Sequence, residues 1–248
     1  MKLAVAAAIL LAAAAPLAAQ KATPAITAAL ADTSRPADHR ARDAARKPGE
    51  LIAFAGIKPG DKVADFIMGG GYWTRILSPL VGAKGKLYAY QPDEFIKFRA
   101  AYADEQKAAV AGLSNTVALS ESLAAMSFPE KLDAIVTVQN YHDLFLAPFP
   151  KGTGEAVTRK LYNSLRPGGV LLVVDHVANA DPENKAPTAL HRIDPAVARR
   201  ELEKAGFRFA GKLDLLRNPA DPHTAGVFDP SIRGKTDQFV FKFVRPRS

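Results

Sequence analysis

The chain has 248 residues, 48% of them hydrophobic and 23% charged, with 33 Lys+Arg against 25 Asp+Glu for a formal net charge of +8, and it has no cysteine. The missing cysteine excludes disulfides, lipid attachment through a thiol and thiolate chemistry. The basic excess is spread along the chain, with no block of like charge and no aromatic-interleaved basic stripe. That pattern argues against a specific nucleic-acid partner and reads as a solvated basic surface.

Residues 1–19 open with Lys2, continue as an Ala/Leu/Val/Ile run and end in Pro16-Leu17-Ala18-Ala19 before Gln20. This is the pattern of a cleaved secretory signal peptide. Its apolar core is shorter than the roughly 20 residues a membrane span needs, so no stable membrane insertion is expected; an uncleaved anchor is the alternative. The mature chain is expected in the periplasm or outside the cell. After a flexible, Pro-containing arm over 20–37, residues 38–248 have the length of one domain with a large core.

The charged run 38–43, followed by Arg46-Lys47-Pro48, leads into a short helix carrying Leu51, Phe54 and Ala55, with Gly56 as its stop. Lys58-Pro59-Gly60-Asp61 turns into a first strand, Lys62–Phe66. A helix over 74–80, a strand Lys86–Tyr90, a helix over 95–112, and strands Thr116–Leu119, Leu132–Val138 and 169–175 follow. Strands alternating with helices imply a parallel sheet covered on both faces. Near the end, 207–216 and Gln238–Val244 alternate apolar with polar residues.

Between the first strand and its helix stands Asp65-Phe66-Ile67-Met68-Gly69-Gly70-Gly71-Tyr72-Trp73-Thr74. Glycines here let the backbone bend tightly and bring N–H groups close to a ligand, and the following helix adds a partial positive field. A purely structural turn is the alternative. The segment resembles motif I of the class I S-adenosylmethionine-dependent methyltransferases, Asp-x-Gly-x-Gly-x-Gly followed by an aromatic residue. Asp65 matches the acid, Gly69 and Gly71 the last two glycines, Tyr72 and Trp73 the aromatics, and Ile67 replaces the first glycine. The Gly-Gly-Gly-Tyr variant is similar to that of a group of exported bacterial predicted methyltransferases. The Leu165-Arg166-Pro167-Gly168-Gly169 turn before the fifth strand is likewise similar to the methyltransferase core. The resemblance implies an α/β, Rossmann-like class I methyltransferase fold, with a mostly parallel seven-stranded sheet, an antiparallel C-terminal strand pair and helices on both faces. It also implies S-adenosylmethionine as cofactor and methyl transfer to a small-molecule acceptor. Asp65, Gly69, Gly70, Gly71 and Tyr72 are then cofactor candidates.

Ligands of such sheets sit beyond the carboxyl ends of the strands. Gln91 ends the second strand about 20 residues past the glycines, where a ribose-binding acid usually stands, and its amide can still bond hydroxyls. Asp93 and Glu94 could substitute for it, or cap the next helix. The resemblance makes Glu121, after the third strand, the adenine candidate and leaves Asp133 a structural role. The fourth strand runs into Gln139-Asn140-Tyr141-His142-Asp143, which match positions that face donor and acceptor. Asn140 is a cofactor candidate and Tyr141 a substrate candidate. His142 is a candidate general base, with Asp143 to orient it. The fifth strand ends in Asp175-His176. In His191-Arg192-Ile193-Asp194-Pro195, Asp194 and Pro195 read as a helix start, which leaves His191 for proton removal and Arg192, with His176, for substrate.

Histidines 142, 176 and 191 have aspartates nearby, but no pair has metalloprotease spacing and the sequence fixes no coordination geometry, so no metal site is expected. The stretch 217–237 is long for a connection and reads as a lid over the acceptor, with His223 and Arg233 as substrate candidates and solvated turn residues as the alternative. Its Asn218-Pro219-Ala220-Asp221-Pro222-His223 and Arg233-Gly234-Lys235-Thr236-Asp237 segments are similar to those of the exported group. Two other functions remain open beside methyl transfer: a secreted binding protein that kept the fold without catalysis, and a hydrolase or metal-dependent enzyme built on the His/Asp residues. Export favours these alternatives, since S-adenosylmethionine is not expected to be plentiful outside the cytoplasm. The residues specify neither the acceptor nor an oligomeric state.

Overall fold

The computed structural model describes residues 22–247; the signal peptide expected over 1–19 lies outside them. The chain enters through α1 (Pro24–Ala31), α2 (Ala37–Ala41), α3 (Asp43–Arg46) and α4 (Pro48–Ala55). It continues as β1 (Lys62–Phe66), α5 (Thr74–Val81), β2 (Lys86–Tyr90), α6 (Asp93–Phe98), α7 (Ala101–Val110), β3 (Thr116–Leu119) and β4 (Leu132–Val138). A 3-10 turn over His142–Phe145 precedes α8 (Thr153–Ser164), β5 (Leu165–His176), α9 (Ala186–Leu190), α10 (Pro195–Lys204), β6 (Arg208–Leu213) and β7 (Gln238–Val244).

The strands form one seven-stranded sheet in the order β3-β2-β1-β4-β5-β7-β6. All neighbouring pairs are parallel except those of β7, which runs antiparallel to β5 and β6. Successive residues of a strand face opposite sides, and in a sheet covered on both faces both sets are apolar. Ala64, Phe66, Leu171 and Val173 accordingly join a core with Leu161 of α8 and Leu202 of α10. Val63, Leu172 and Val174 face the other way, onto Ile52 of α4 and Ile76 and Leu77 of α5. The chain departs in opposite directions from β1 and from β4, so a crevice opens at the carboxyl ends of these two adjacent strands.

Three elements differ from their sequence expectation. The span read as a flexible arm contains α1, capped by the Thr23 hydroxyl and started by Pro24, with Ile26 and Ala29 buried against α4 and α5. Its two anchors are one helical turn apart in an otherwise alanine-rich run, too faint a stripe to stand out. The helix over 95–112 is broken at Arg99, whose backbone is extended. α6 buries none of its residues, whereas α7 buries Gln106 and Ala109, so the two share no continuous apolar stripe. β5 begins at Leu165 and passes through Pro167-Gly168-Gly169, because Gly168 donates its N–H to Arg245 and Gly169 accepts from the Arg245 N–H. Among the described residues, no helix is long and apolar enough to cross a membrane.

Candidate active site at the switch point of the sheet

At the end of β1 the backbone turns through left-handed conformations at Ile67 (φ 59°), Gly69 (φ 53°) and Gly71 (φ 80°). A β-branched residue rarely adopts such a φ, at a cost of about 1–3 kcal/mol. Three bonds hold the turn: Ile67 O accepts from Asn140 Nδ2 at 2.8 Å, the Met68 N–H donates to Tyr90 O at 3.0 Å, and the Gly69 N–H donates to Gln91 Oε1 at 2.9 Å. Asn140 Oδ1 in turn accepts from the Thr137 hydroxyl. The position of the missing first glycine therefore keeps a glycine-like conformation with an isoleucine in it.

Asp65 faces inward. It is buried and accepts from the Thr74 hydroxyl at 2.6 Å, fastening the start of α5 to the end of β1. This corrects its reading as a cofactor contact. Burial pushes its carboxyl up to about 6, against the lowering effect of the Thr74 hydroxyl and N–H. A carboxyl whose folded pKa is raised stabilises the fold fully below its unfolded pKa and loses that contribution as pH rises through the folded value. Asp65→Asn, which stays neutral, is therefore expected to gain stability relative to the parent between pH 4 and 7, by about 2–3 kcal/mol in urea unfolding. A pH-independent difference would refute a buried carboxylate there.

The three glycines divide by role. A Cβ on Gly71 would lie 2.4 Å from Ala109 Cβ, so α7 packing rather than a ligand demands that glycine. Around Gly69 there is nothing within 4 Å, and a Gly70 Cβ would meet only the Glu105 carboxylate at 3.7 Å. Gly69 and Gly70 border a cavity of about 280 Å³ that is lined by Tyr72 and Trp73, by Val138 at the end of β4 and Gln139, Asn140 and Asp143 after it, and by Phe95 and Tyr102 of α6 and α7. Gln91 is fully buried behind the loop, and its Nε2 has no partner among the described residues. Glu121 is exposed, its carboxylate accepting from Ser127 at 3.2 Å, and it does not line this cavity.

The remaining wall consists of His39, Arg42 and Arg46, none of which the sequence marks beyond a density of charge. Tyr72 donates its hydroxyl to Asp43 Oδ1 at 2.6 Å, and Asp43 also binds the fully buried Arg35 at 2.7 Å, which fixes α2 and α3 over the cavity. The Arg46 guanidinium lies 4.7 Å from the Tyr72 ring centre and donates to Gln139 Oε1 at 3.1 Å. Among the described residues it has no carboxylate partner, and burial holds it below the ordinary arginine range.

On the far side of Asp143 lies a chain of acids and imidazoles. Asp175, at the end of β5, accepts from the His142 N–H at 2.8 Å and bonds His142 Nδ1 at 2.7 Å. His142 Nε2 is 3.1 Å from Asp143 Oδ1, and His191 Nδ1 is 3.5 Å from the same oxygen. Burial pulls His142 down, but Asp175 and Asp143 outweigh it and push it up to about 10. Burial opposes ionisation of Asp143 as well, yet His142 and His191 hold its carboxyl below the usual range. A proton gripped between two carboxylates makes His142 a poor general base, which corrects that expectation. His191, partly exposed, is the imidazole with reach.

No protein-family model and no curated protein sequence matches the chain. Among solved structures it is similar to a SAM-dependent methyltransferase from Aquifex aeolicus, at 20% identity and a TM-score of 0.61, with 83% of this chain and 93% of that one covered. The N-methyltransferase NodS from Bradyrhizobium japonicum is similar at 12% identity and a TM-score of 0.55, covering 82% and 96%. The fold is that of the class I S-adenosylmethionine-dependent methyltransferases. Its seven-stranded, mostly parallel sheet and antiparallel C-terminal strand pair agree with the sequence expectation. The [4+2]-cyclase SpnF also matches, at 16% identity and a TM-score of 0.58 over 83% and 82% of the two chains. The methyltransferase fold is thus not tied to one chemistry.

Several acceptor-side candidates hold this methyltransferase fold together instead. Tyr141 is fully buried, with its hydroxyl 3.0 Å from Thr158 Oγ1 of α8, because the 3-10 turn sends it into the core. His176 is buried with Nδ1 2.7 Å from Thr236 Oγ1, and burial pushes it down to about 4. Arg192 is completely buried, donating to both Asp221 oxygens at 2.8 and 3.1 Å and to the carbonyls of Val177 and Ala225. His223 Nε2 bonds Asp237 Oδ2 at 3.0 Å. Arg192 thus ties the loop 217–237 to the end of β5 from beneath, and the His223–Asp237 contact ties the loop to itself. Arg233 projects into solvent with no side-chain bond among the described residues. The loop meets the cluster through Phe228, whose ring centre is 5.0 Å from that of His191.

Proposed function

We propose that the chain is an S-adenosylmethionine-dependent methyltransferase acting on a small-molecule acceptor. The observation that carries this is Arg46, a half-buried cation without a counter-ion among the described residues, on the same cavity wall as the Gly69-Gly70 backbone. A guanidinium so placed favours a carboxylate-bearing ligand, and the donor ends in an amino-acid carboxylate. Phe95 and Tyr102 offer aromatic surface to a base. The donor, when bound, supplies a sulfonium methyl group already activated toward a nucleophile. The protein's own work is then alignment and exclusion of water. Asp143, oriented by His142, holds the acceptor from the cavity wall, and His191 beside it receives the proton.

Calorimetric titration with S-adenosylmethionine and S-adenosylhomocysteine tests this reading, with micromolar dissociation constants expected. No heat and no thermal stabilisation at millimolar ligand would overturn it. A second reading, a hydrolase or metal-dependent enzyme on the same fold, is favoured by the convergence of His142, Asp143 and His191. We also propose export, on the composition of residues 1–19. The intact mass of protein recovered from a secreting host is expected to correspond to a chain beginning at Gln20, and retention of residues 1–19 would refute export by cleavage.

A further inference from the structure

We propose that His142, Asp143 and His191 bind one divalent transition-metal ion. One ligand atom from each residue lies within 4.8 Å of the others. The two separations from Asp143 Oδ1, 3.1 Å to His142 Nε2 and 3.5 Å to His191 Nδ1, lie close to the spacing of neighbouring ligands around one ion. Metal–nitrogen and metal–oxygen bonds of about 2.1 Å set neighbouring ligands about 3.0 Å apart in an octahedron and about 3.4 Å apart in a tetrahedron.

A further carboxylate supports the set from behind. Asp175 bonds the other ring nitrogen of His142 at 2.7 Å and also takes the His142 N–H. A carboxylate there fixes the ring, with Nε2 turned toward Asp143 Oδ1, where it can exchange its proton for an ion. Two carboxylates share the group with two imidazoles, so a divalent cation on neutral rings can take the place of the proton that His142 otherwise holds between Asp175 and Asp143. Two nitrogens and one carboxylate suit Zn, Fe or Mn better than Mg or Ca, which prefer all-oxygen shells. Three protein ligands leave coordination positions for solvent or substrate. The ion is reached from the cavity, which Asp143 lines, and from solvent, to which the His191 side chain is 35% exposed. This inference stands on the cluster alone and does not need the donor.

The test is titration of the tag-free full chain with Zn²⁺, with Co²⁺ for its visible absorption and with Mg²⁺ as a competitor. One equivalent of Zn²⁺ is expected to bind, with Co²⁺ bands of low coordination number and no displacement by Mg²⁺. His191→Asn is the decisive variant, since asparagine tolerates the left-handed backbone at this position (φ 52°). It is expected to keep the parent melting temperature and to weaken Zn²⁺ at least 100-fold. Asp143→Asn is expected to do likewise, and Asp175→Asn to weaken Zn²⁺ by about 10–100-fold. No stoichiometric Zn²⁺ binding, or unchanged affinity in a folded His191→Asn, would overturn the site. Adding S-adenosylhomocysteine separates this inference from the methyltransferase reading. Zn²⁺ bound with the ligand refused leaves the metal site standing and removes methyl transfer, and the reverse outcome removes the metal site alone.

Discussion

Arg192→Leu is expected to lower the free energy of unfolding by about 3–5 kcal/mol, the usual cost of leaving one partner of a buried ion pair unpaired. Neither Arg192 nor Asp221 has any side-chain exposure, and the guanidinium also satisfies the carbonyls of Val177 and Ala225. Asp221 in turn accepts the N–H groups of His223 and Asp237, so the stranded carboxylate would sit at the centre of the 217–237 loop. The double variant Arg192→Leu/Asp221→Leu removes the orphan charge and should recover part of the loss. Urea unfolding followed by tryptophan emission measures both. A loss below about 1 kcal/mol in the single variant would mean that the loop is held mainly by other contacts.

Gly70→Leu is expected to weaken S-adenosylhomocysteine by about 100-fold, or about 2.7 kcal/mol, while leaving the melting temperature near that of the parent. Gly70 has no positive φ, and its Cβ would find only the Glu105 carboxylate at 3.7 Å, so the new side chain enters the cavity mouth without backbone strain. Gly71→Ala makes the contrast: at φ 80° and 2.4 Å from Ala109 Cβ, even a methyl group strains the fold. Arg46→Gln, which keeps a donor for Gln139 but loses the charge, should weaken the ligand by about 10-fold or more. A folded Gly70→Leu protein that binds as the parent does would move the donor out of this cavity.

The strands β1 to β4 and β7 are legible in the sequence to the residue, because Gly, Pro and Asp punctuate them and their apolar runs are short. β5 is legible only in part. Its Pro-Gly-Gly start has the local chemistry of a turn, and only pairing with Arg245, far along the chain, draws it into the sheet. The same limit governs the site. Asp143 and His191 are legible as polar residues at strand and helix ends, but their meeting depends on where α9 is packed. Arg192 has the look of a pocket residue until Asp221, 29 positions away, claims it. Tyr141 and His142 are adjacent, yet one turns into the core and the other toward Asp175, a division set by the 3-10 turn. His39, Arg42 and Arg46 gain their role only because α2 and α3 fold back over the switch point.

The glycine turn after β1 is tied from two neighbouring strands, through Tyr90 and Gln91 of the β2 end and Asn140 of the β4 end. Such a turn is rigid before any molecule arrives, so little conformational entropy is lost when one docks against it. Binding at Gly69 and Gly70 should then have a small entropic penalty and an association rate limited by entry past α2 and α3 rather than by loop closure. Loosening one tie, as Asn140→Ala would, converts that rigid platform into one that must order itself at every encounter.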